Sequence, residues 1–380
     1  MVFLKFRHKK IQKSVVSLLY QKGFENSYIQ EISINDNIVK IVIDLSVKKE
    51  VDELVLILPN LMQEFKGVDY RYKSKGKRVY IEIGKRELEN IEFNESYLGE
   101  NLVVKFPTSF GYTEIDFSDG ASCHLLNGGT TRMGKTYFLL YLCTVLYLQT
   151  NGKMKLYITS SKIKDYYSFI NIPNVTLSKT HNELVLILKE LLQEYKYRDG
   201  LLNSPQLLKA TDAKDVRKKY PEMYSLFRPI FVVIDEYARF SDSKEIQRMV
   251  TELVETAGFV NIHVIISSQR PDAKTVLNAR IKGNLLCRVC FTTADEANSM
   301  IILDSKGAEK LGKKPGRAIL QNTDRDIIQV PKMDNETSFE LLNKYRKGDI
   351  NEEEGKRFND TELSNKVQSL FEESINDIDI

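Results

Sequence analysis

Hydrophobic and polar positions follow one rhythm in the first 90 or so residues and another beyond them. IQKSVVSLLYQKGF places its apolar residues at helical spacing and stops at Gly23, and NIVKIVIDL alternates as a strand. EVDELVLILPNLMQEF is helical, with Pro59 marking a bend or a late start, and RYKSKGKRVYIEI reads as a hairpin turning at Lys-Gly. These patterns predict a small α+β module over residues 1–92. From about Leu102 to Pro331 the alternation gives way to short, continuous apolar runs: SCHLLNG, KLYITS, PIFVVID, NIHVIISS, LCRVCFTT and RAILQ. A strand apolar at every position is covered on both faces. Helical stretches such as NELVLILKELLQEYKYRDGLL separate these runs, so residues 93–332 are expected to form an α/β domain with a mainly parallel sheet. From residue 333 to 380 the chain is polar and acidic, with room for one or two short helices.

Charge sharpens this division. The net charge is +3, but the last 48 residues hold thirteen acidic and six basic side chains, which leaves the tail at −7 and the rest at +10. A basic body with an acidic tail points to a polyanionic partner for the body, or to lysines that are simply solvated. With 42% hydrophobic and 28% charged residues, composition sets aside a disordered chain. No stretch reaches the ~18–20 apolar residues of a membrane span. The longest candidate, Tyr137 to Leu148, is too short, and MVFLKFRHKK lacks a signal-peptide core and cleavage site. That basic start either touches anionic lipid or is solvated. The expected location is cytoplasmic, peripheral to the inner face of a membrane only through partners.

The cysteines and histidines suggest no chemistry of their own. Cys287 and Cys290 form a C-x-x-C, yet they lie in a strand, where positions three apart face opposite ways. A structural zinc site also wants four ligands, and no second pair exists. Cys123, Cys143, Cys287 and Cys290 are expected as reduced thiols. His8 belongs to the basic start, His124 and His263 are expected to pack or sit at the surface, and His181 begins a helix.

Chemistry concentrates in three stretches. GTTRMGKT matches G-x-x-x-x-G-K-[ST], with Gly129, Gly134, Lys135 and Thr136 in register. Such a loop, from Gly129 through Thr130, Thr131, Arg132, Met133 and Gly134 to Lys135, Thr136 and Tyr137, turns backbone N–H groups onto phosphate oxygens. Lys135 is expected on the β- and γ-phosphates of ATP and Thr136 on Mg2+, with the apolar helix behind anchoring the loop. In PIFVVIDEYARF, Asp235 and Glu236 end an apolar strand, Asp235 suited to hold magnesium and Glu236 to polarise the attacking water. NIHVIISSQRPD ends another strand in Ser267, Ser268, Gln269, Arg270 and Pro271, and Gln269 is placed to sense the γ-phosphate.

Together these stretches resemble the FtsK/SpoIIIE family of DNA-translocating ATPases. GGTTRMGKT is similar to its P-loop, VVIDEYA to its second acidic motif, and NIHVIISSQRP to its G-I-H-x-I-x-A-T-Q-R-P signature. RIKGNLLCRVCFTTADEANSMIILDSKGAEKL continues in the family's order and spacing. Within the family the likeness is greatest to TcpA- and ConQ-type coupling proteins of Gram-positive conjugative elements. The resemblance implies a RecA-like P-loop motor that hydrolyses ATP with Mg2+ and assembles as a homo-hexamer around double-stranded DNA. Its implied role is to deliver a mobile element's DNA, with a relaxase and membrane transfer-channel proteins as further partners. The alternatives are a phage or plasmid packaging or segregation motor, and a nucleotide-switched scaffold that recruits a relaxase. Three features depart from the family, the first being Arg132-Met133 where its loop usually has Gly-Ser, at positions free in the pattern. An arginine often found a few residues before G-I-H is replaced near Gly258, which leaves Arg288 and Arg270 as candidates for a trans-acting arginine. Membrane spans before the module and a basic winged-helix domain after the motor are also not seen in the sequence.

Overall fold

The computed structural model describes residues 91–268, 277–322 and 324–346 continuously and residues 13–90 in part. It divides into two compact units, one of residues 1–89 with 107–112, the other of residues 90–106 with 113–380.

The small unit is built on a four-stranded antiparallel sheet in the order β1-β2-β4-β3. Its strands are β1 (Ile29–Asn35), β2 (Ile38–Asp44), β3 (Asp69–Lys75) and β4 (Arg78–Gly84). The expected hairpin is β3–β4, with Gly76 at its tip. Alternation works as the sequence implies: Val39, Ile41 and Ile43 pair with Ile83, Ile81 and Val79, and all six are buried. On β2 and β3 of the same sheet, Lys40 and Arg71 both pair with Glu82. The two helices expected at 11–24 and 50–65 lie largely outside the described residues, Pro59 with them.

The large unit carries a ten-stranded sheet in the order β6-β5-β14-β13-β12-β7-β11-β10-β8-β9. Its strands are β5 (Val103–Thr108), β6 (Gly111–Asp116), β7 (Leu125–Gly128), β8 (Lys155–Thr159) and β9 (Val175–Ser178). They continue with β10 (Ile230–Ile234), β11 (Ile262–Ser268), β12 (Cys287–Phe291), β13 (Arg317–Gln321) and β14 (Arg325–Gln329). The run from β12 to β9 is parallel, whereas β13 and β14 continue the sheet antiparallel. The fold is α/β, as the apolar runs imply.

Both faces of the parallel strands are covered. On β10, Phe231 and Val233 enter one apolar cluster while Ile230, Val232 and Ile234 enter the other. On β12, Cys287 and Cys290 fall into opposite clusters, so the C-x-x-C cannot converge on one ion. All four thiols are free. The first cluster forms around helix α1 (Lys135–Gln149), which is buried along most of its length. The second gathers α2 (His181–Leu202) and α4 (Lys244–Thr256), with the short α3 (Ala213–Lys219) between them in sequence. A capping box starts α2, Thr180 accepting from the Glu183 N–H and Glu183 from the Thr180 N–H. The short α5 (Ala279–Asn284) and α6 (Glu296–Leu303) flank β12 in sequence.

The acidic segment begins inside this unit. Helix α7 (Asn335–Leu342) lies on α1, with Ser338 bonded to Thr144 at 2.8 Å and Met333, Phe339 and Leu342 in the core. Beyond its end Arg346 lies over Phe339, its guanidinium 3.9 Å from the ring centre. Residues 347–380 lie outside the described residues.

Candidate nucleotide site

The loop from Gly129 to Gly134 joins β7 to α1, and its backbone needs glycine. Gly129 and Gly134 have φ of 134° and 114°. A Cβ on Gly129 would stand 2.7 Å from Phe291 Cβ, and one on Gly134 would stand 2.9 Å from Gly316 N. The end of β12 braces the loop: the Thr130 N–H and hydroxyl donate to Thr292 O at 2.9 and 2.8 Å. Lys135 folds back under the loop, its Nζ donating to the carbonyls of Gly129 and Thr130, both at 2.7 Å. Burial brings its pKa down to about 8, against the pull of the Asp235 carboxylate.

A cavity of about 350 Å3 opens beside the loop, at the carboxyl ends of β7, β8, β10 and β11. Thr131, Arg132, Gly134, Lys135, Thr136 and Tyr137 line one side. Asp235, Glu236, Ser267 and Lys162 face them. A second hollow, about 690 Å3, adjoins it past Gly129, Thr130 and Glu236. The parallel order β7-β11-β10-β8 brings these residues together, because the strands all end on the same edge. Met133 differs from its neighbours in the loop: its side chain packs on the core, and its carbonyl accepts from Gly316 N at 2.9 Å.

The two carboxylates are held differently. Asp235 is buried, and its Oδ2 accepts from the Tyr166 hydroxyl at 3.0 Å and from Ser160 at 3.3 Å. Burial raises its pKa, with hydrogen bonds from Tyr166 and Ser267 acting the other way. Glu236 sits at the turn after β10 with a left-handed φ of 54°. Burial works to raise its pKa, but bonds from Lys162 and Ser161 outweigh it and the carboxyl stays below its usual value. Lys162 Nζ donates to Oε1 at 2.8 Å, and Ser161 Oγ donates to Oε2 at 2.6 Å. Arg239 adds an ion pair at 2.9 Å. Ser160, Ser161, Lys162 and Tyr166 are additions to the residues expected from sequence. S-S-K reads as a polar loop, and only its place after an apolar strand, next to the Asp235 strand, could have marked it.

Gln269 and Arg270 lie outside the described residues. Arg288, expected as a candidate trans-acting arginine, is engaged within its own chain in this structure. Its side chain is 7% exposed and donates to the carbonyls of Leu285, Ile302 and Lys282 and to Asp304. To reach a neighbouring subunit the guanidinium would have to give up these bonds. Gly258 has a steric reason to be glycine, since a Cβ there would meet Cys123 Sγ at 2.6 Å. His124 and His263 are buried at the other end of the sheet.

The oxygen donors suit a hard divalent cation. The Thr136 hydroxyl and the Asp235 carboxylate share one cavity, and magnesium is commonly bound by one or two such groups, phosphate and water. Among the described residues no group of three or more His, Cys, Asp or Glu could hold a metal without such help. No described helix is long and apolar enough to cross a membrane.

Comparison with known proteins agrees with this geometry. Over 200 residues the chain is 30% identical to the DNA translocase FtsK of Chlamydia trachomatis serovar D, covering 50% of this chain and 25% of that protein. Against the FtsK of Treponema pallidum it is 31% identical over 199 residues, 50% of this chain and 24% of that one. The matched stretch thus spans about a quarter of these relatives' length. The pCW3 conjugation coupling protein TcpA, solved as a monomer with ATPγS, superposes with a TM-score of 0.60 at 20% identity. That match covers 87% of this chain and 98% of TcpA. ATPases 2 and 3 of EssC from Geobacillus thermodenitrificans reach a TM-score of 0.53 at 11% identity, covering 76% of this chain and 52% of theirs. At such identities the solved structures establish the fold. No family model matches the chain.

Proposed function

We propose that this chain, 30% identical over half its length to an FtsK translocase, is an FtsK/SpoIIIE-type P-loop ATPase that couples ATP hydrolysis to movement along double-stranded DNA. The observation that carries this reading is the gathering of Lys135, Thr136, Asp235 and Glu236 around one cavity beside a glycine-strained loop. The loop amides and the start of α1 receive the phosphates, and Lys135 exchanges its two loop carbonyls for β- and γ-phosphate oxygens. Thr136 and Asp235 are the residues that would hold Mg2+, which would supply charge neutralisation along the phosphates. Glu236 orients water and accepts its proton as the water oxygen attacks the terminal phosphorus.

A translocase must tolerate every sequence it passes, so its DNA grip falls on phosphates and weakens steeply with salt. We assign the chain to conjugative transfer, as a coupling protein that works as a ring and meets a relaxase. The motor resembles TcpA over nearly the whole of that coupling protein, and this supports the assignment. The test is ATP turnover with and without linear duplex DNA, alongside displacement of a third strand from a duplex track. DNA-stimulated turnover with strand displacement is expected. Nucleotide binding without either would leave a nucleotide-switched scaffold.

A further inference from the structure

Glu236 has both carboxylate oxygens occupied. Oε1 accepts from Lys162 Nζ at 2.8 Å and Oε2 from Ser161 Oγ at 2.6 Å. With Arg239 as a further donor on Oε2, three of its roughly four acceptor sites are taken, and the ammonium held on Oε1 disfavours a proton there, so the carboxylate is poorly placed to take one from water. Its donors come from the segment after β8, the strand beside β10. Lys162 is not fixed in place: its side chain is 54% exposed, on a flexible stem, and it lines the same cavity as Lys135 and Thr136. Its ammonium therefore stands between two anionic groups, the Glu236 carboxylate now and a terminal phosphate when ATP is bound.

We propose that Ser161 and Lys162 clamp Glu236 in an inactive posture, and that the γ-phosphate of ATP opens the clamp by drawing Lys162 to itself. This rests on the ATPase reading above and adds to it a gate and a second cation on the terminal phosphate. ADP has no γ-phosphate and leaves the clamp shut. With Lys162 moved, Glu236 keeps its Arg239 pair and turns one oxygen to the water. The water oxygen then bonds to the terminal phosphorus as the bridging P–O bond to ADP breaks. The water's proton passes to Glu236 and from there to the phosphate product.

The two donors have separable effects. Ser161 touches only the carboxylate, so Ser161→Ala is expected to raise DNA-free turnover about fivefold, as loss of one restraining hydrogen bond implies. Its ATP affinity should stay unchanged. Lys162→Met removes the phosphate contact, so it should weaken ATP binding about tenfold and leave ADP binding as in the wild type. Lys162→Arg should restore most of the ATP preference. Affinities are read by fluorescence of labelled ATP and ADP, and folding by thermal unfolding, so a merely structural role shows as equal loss of both nucleotides. Equal loss, or no loss, with Lys162→Met overturns the clamp, as does Ser161→Ala turnover at or below the wild-type rate. A wild type that fails to bind ATP overturns the ATPase reading and the clamp together, whereas variant behaviour sinks the clamp alone.

Discussion

At the amino ends of the central strands, His124 Nδ1 accepts the Val264 N–H at 3.0 Å, and Arg198 Nη1 donates to Arg228 O at 2.8 Å and Val260 O at 2.9 Å. At the carboxyl ends of the same strands, Lys135 bonds to its own loop and Glu236 to Lys162 and Ser161. Both ends bury charged or polar groups, and in both those groups have partners. The difference lies in the partners. Arg198 is bonded to backbone carbonyls that only unfolding can withdraw, within a rigid layer of β10 and β11. Lys135 and Lys162 are bonded where phosphate oxygens could replace the present acceptors, beside a cavity and next to backbone in left-handed conformation at Arg132 and Glu236. One set holds the sheet together; the other is poised to exchange partners. Substitutions should therefore separate, the carboxyl end changing kinetics and the amino end changing stability.

The largest expected effect is at the carboxyl end. Lys135→Ala should lower ATP turnover by at least roughly a thousandfold, since a preorganised charge on the phosphates is lost. Its stability loss should stay below that of a core variant, because the Gly129 and Thr130 carbonyls it leaves belong to residues lining a hollow that water can enter. A stability loss comparable to a core mutation would place Lys135 among the structural groups and break the comparison. At the amino end, Arg198→Met should do the reverse. It strands the buried Val260 carbonyl and takes a donor from the partly buried Arg228 carbonyl and from Glu194, so it should destabilise the fold by roughly 2 kcal/mol while leaving turnover per folded molecule unchanged. Denaturant unfolding alongside active-site-normalised ATPase rates reads both quantities.

Arg288 tests the boundary between the two sets. Four acceptors within its own chain assign it to the structural group. Arg288→Ala is expected to cost roughly 2 kcal/mol of stability. Mixing it with Lys135→Ala protein should restore no turnover at any ratio. Restored turnover would show that Arg288 leaves its pocket to serve a neighbouring subunit.

How far the sequence reaches follows the same division. The runs PIFVVID and NIHVIISS gave β10 and β11 because strands buried on both faces carry an unbroken apolar signal, and GTTRMGKT gave the phosphate loop because its chemistry is local in sequence. In the large sheet β5, β6, β9 and β14 were missed: VTLS is four residues long, and VVKFPT, GYTEID and RDIIQ carry polar residues that break the apolar run. The partners of Asp235 and Glu236 were missed for another reason. Tyr166 lies 69 residues from Asp235 and Lys162 lies 74 from Glu236, so only the strand order joins them. Arg288 in an apolar strand reads as a chemical group from sequence, and its acceptors at 282, 285, 302 and 304 come together only in space.

The smallest effect concerns protons at the amino end. Burial, with some repulsion from His263, lowers the His124 pKa to about 3, against an ordinary value near 6.5. His124 therefore stays neutral in the fold, which fits its Nδ1 acting as an acceptor. As pH falls below 6.5 the unfolded chain takes up this proton and the folded chain does not, so stability declines until about pH 3, where the folded histidine titrates too. Between pH 6.5 and 5.5 that amounts to about 1 kcal/mol. His124→Asn keeps an acceptor for the Val264 N–H and removes the titration. Its denaturant stability should therefore fall less than wild type's over that interval, by about the same 1 kcal/mol. Because the amino end is a fixed layer, ATP should not alter this slope. A slope that changes on adding ATP would mean that His124 senses the nucleotide across the sheet, and the two ends would no longer be separate in function.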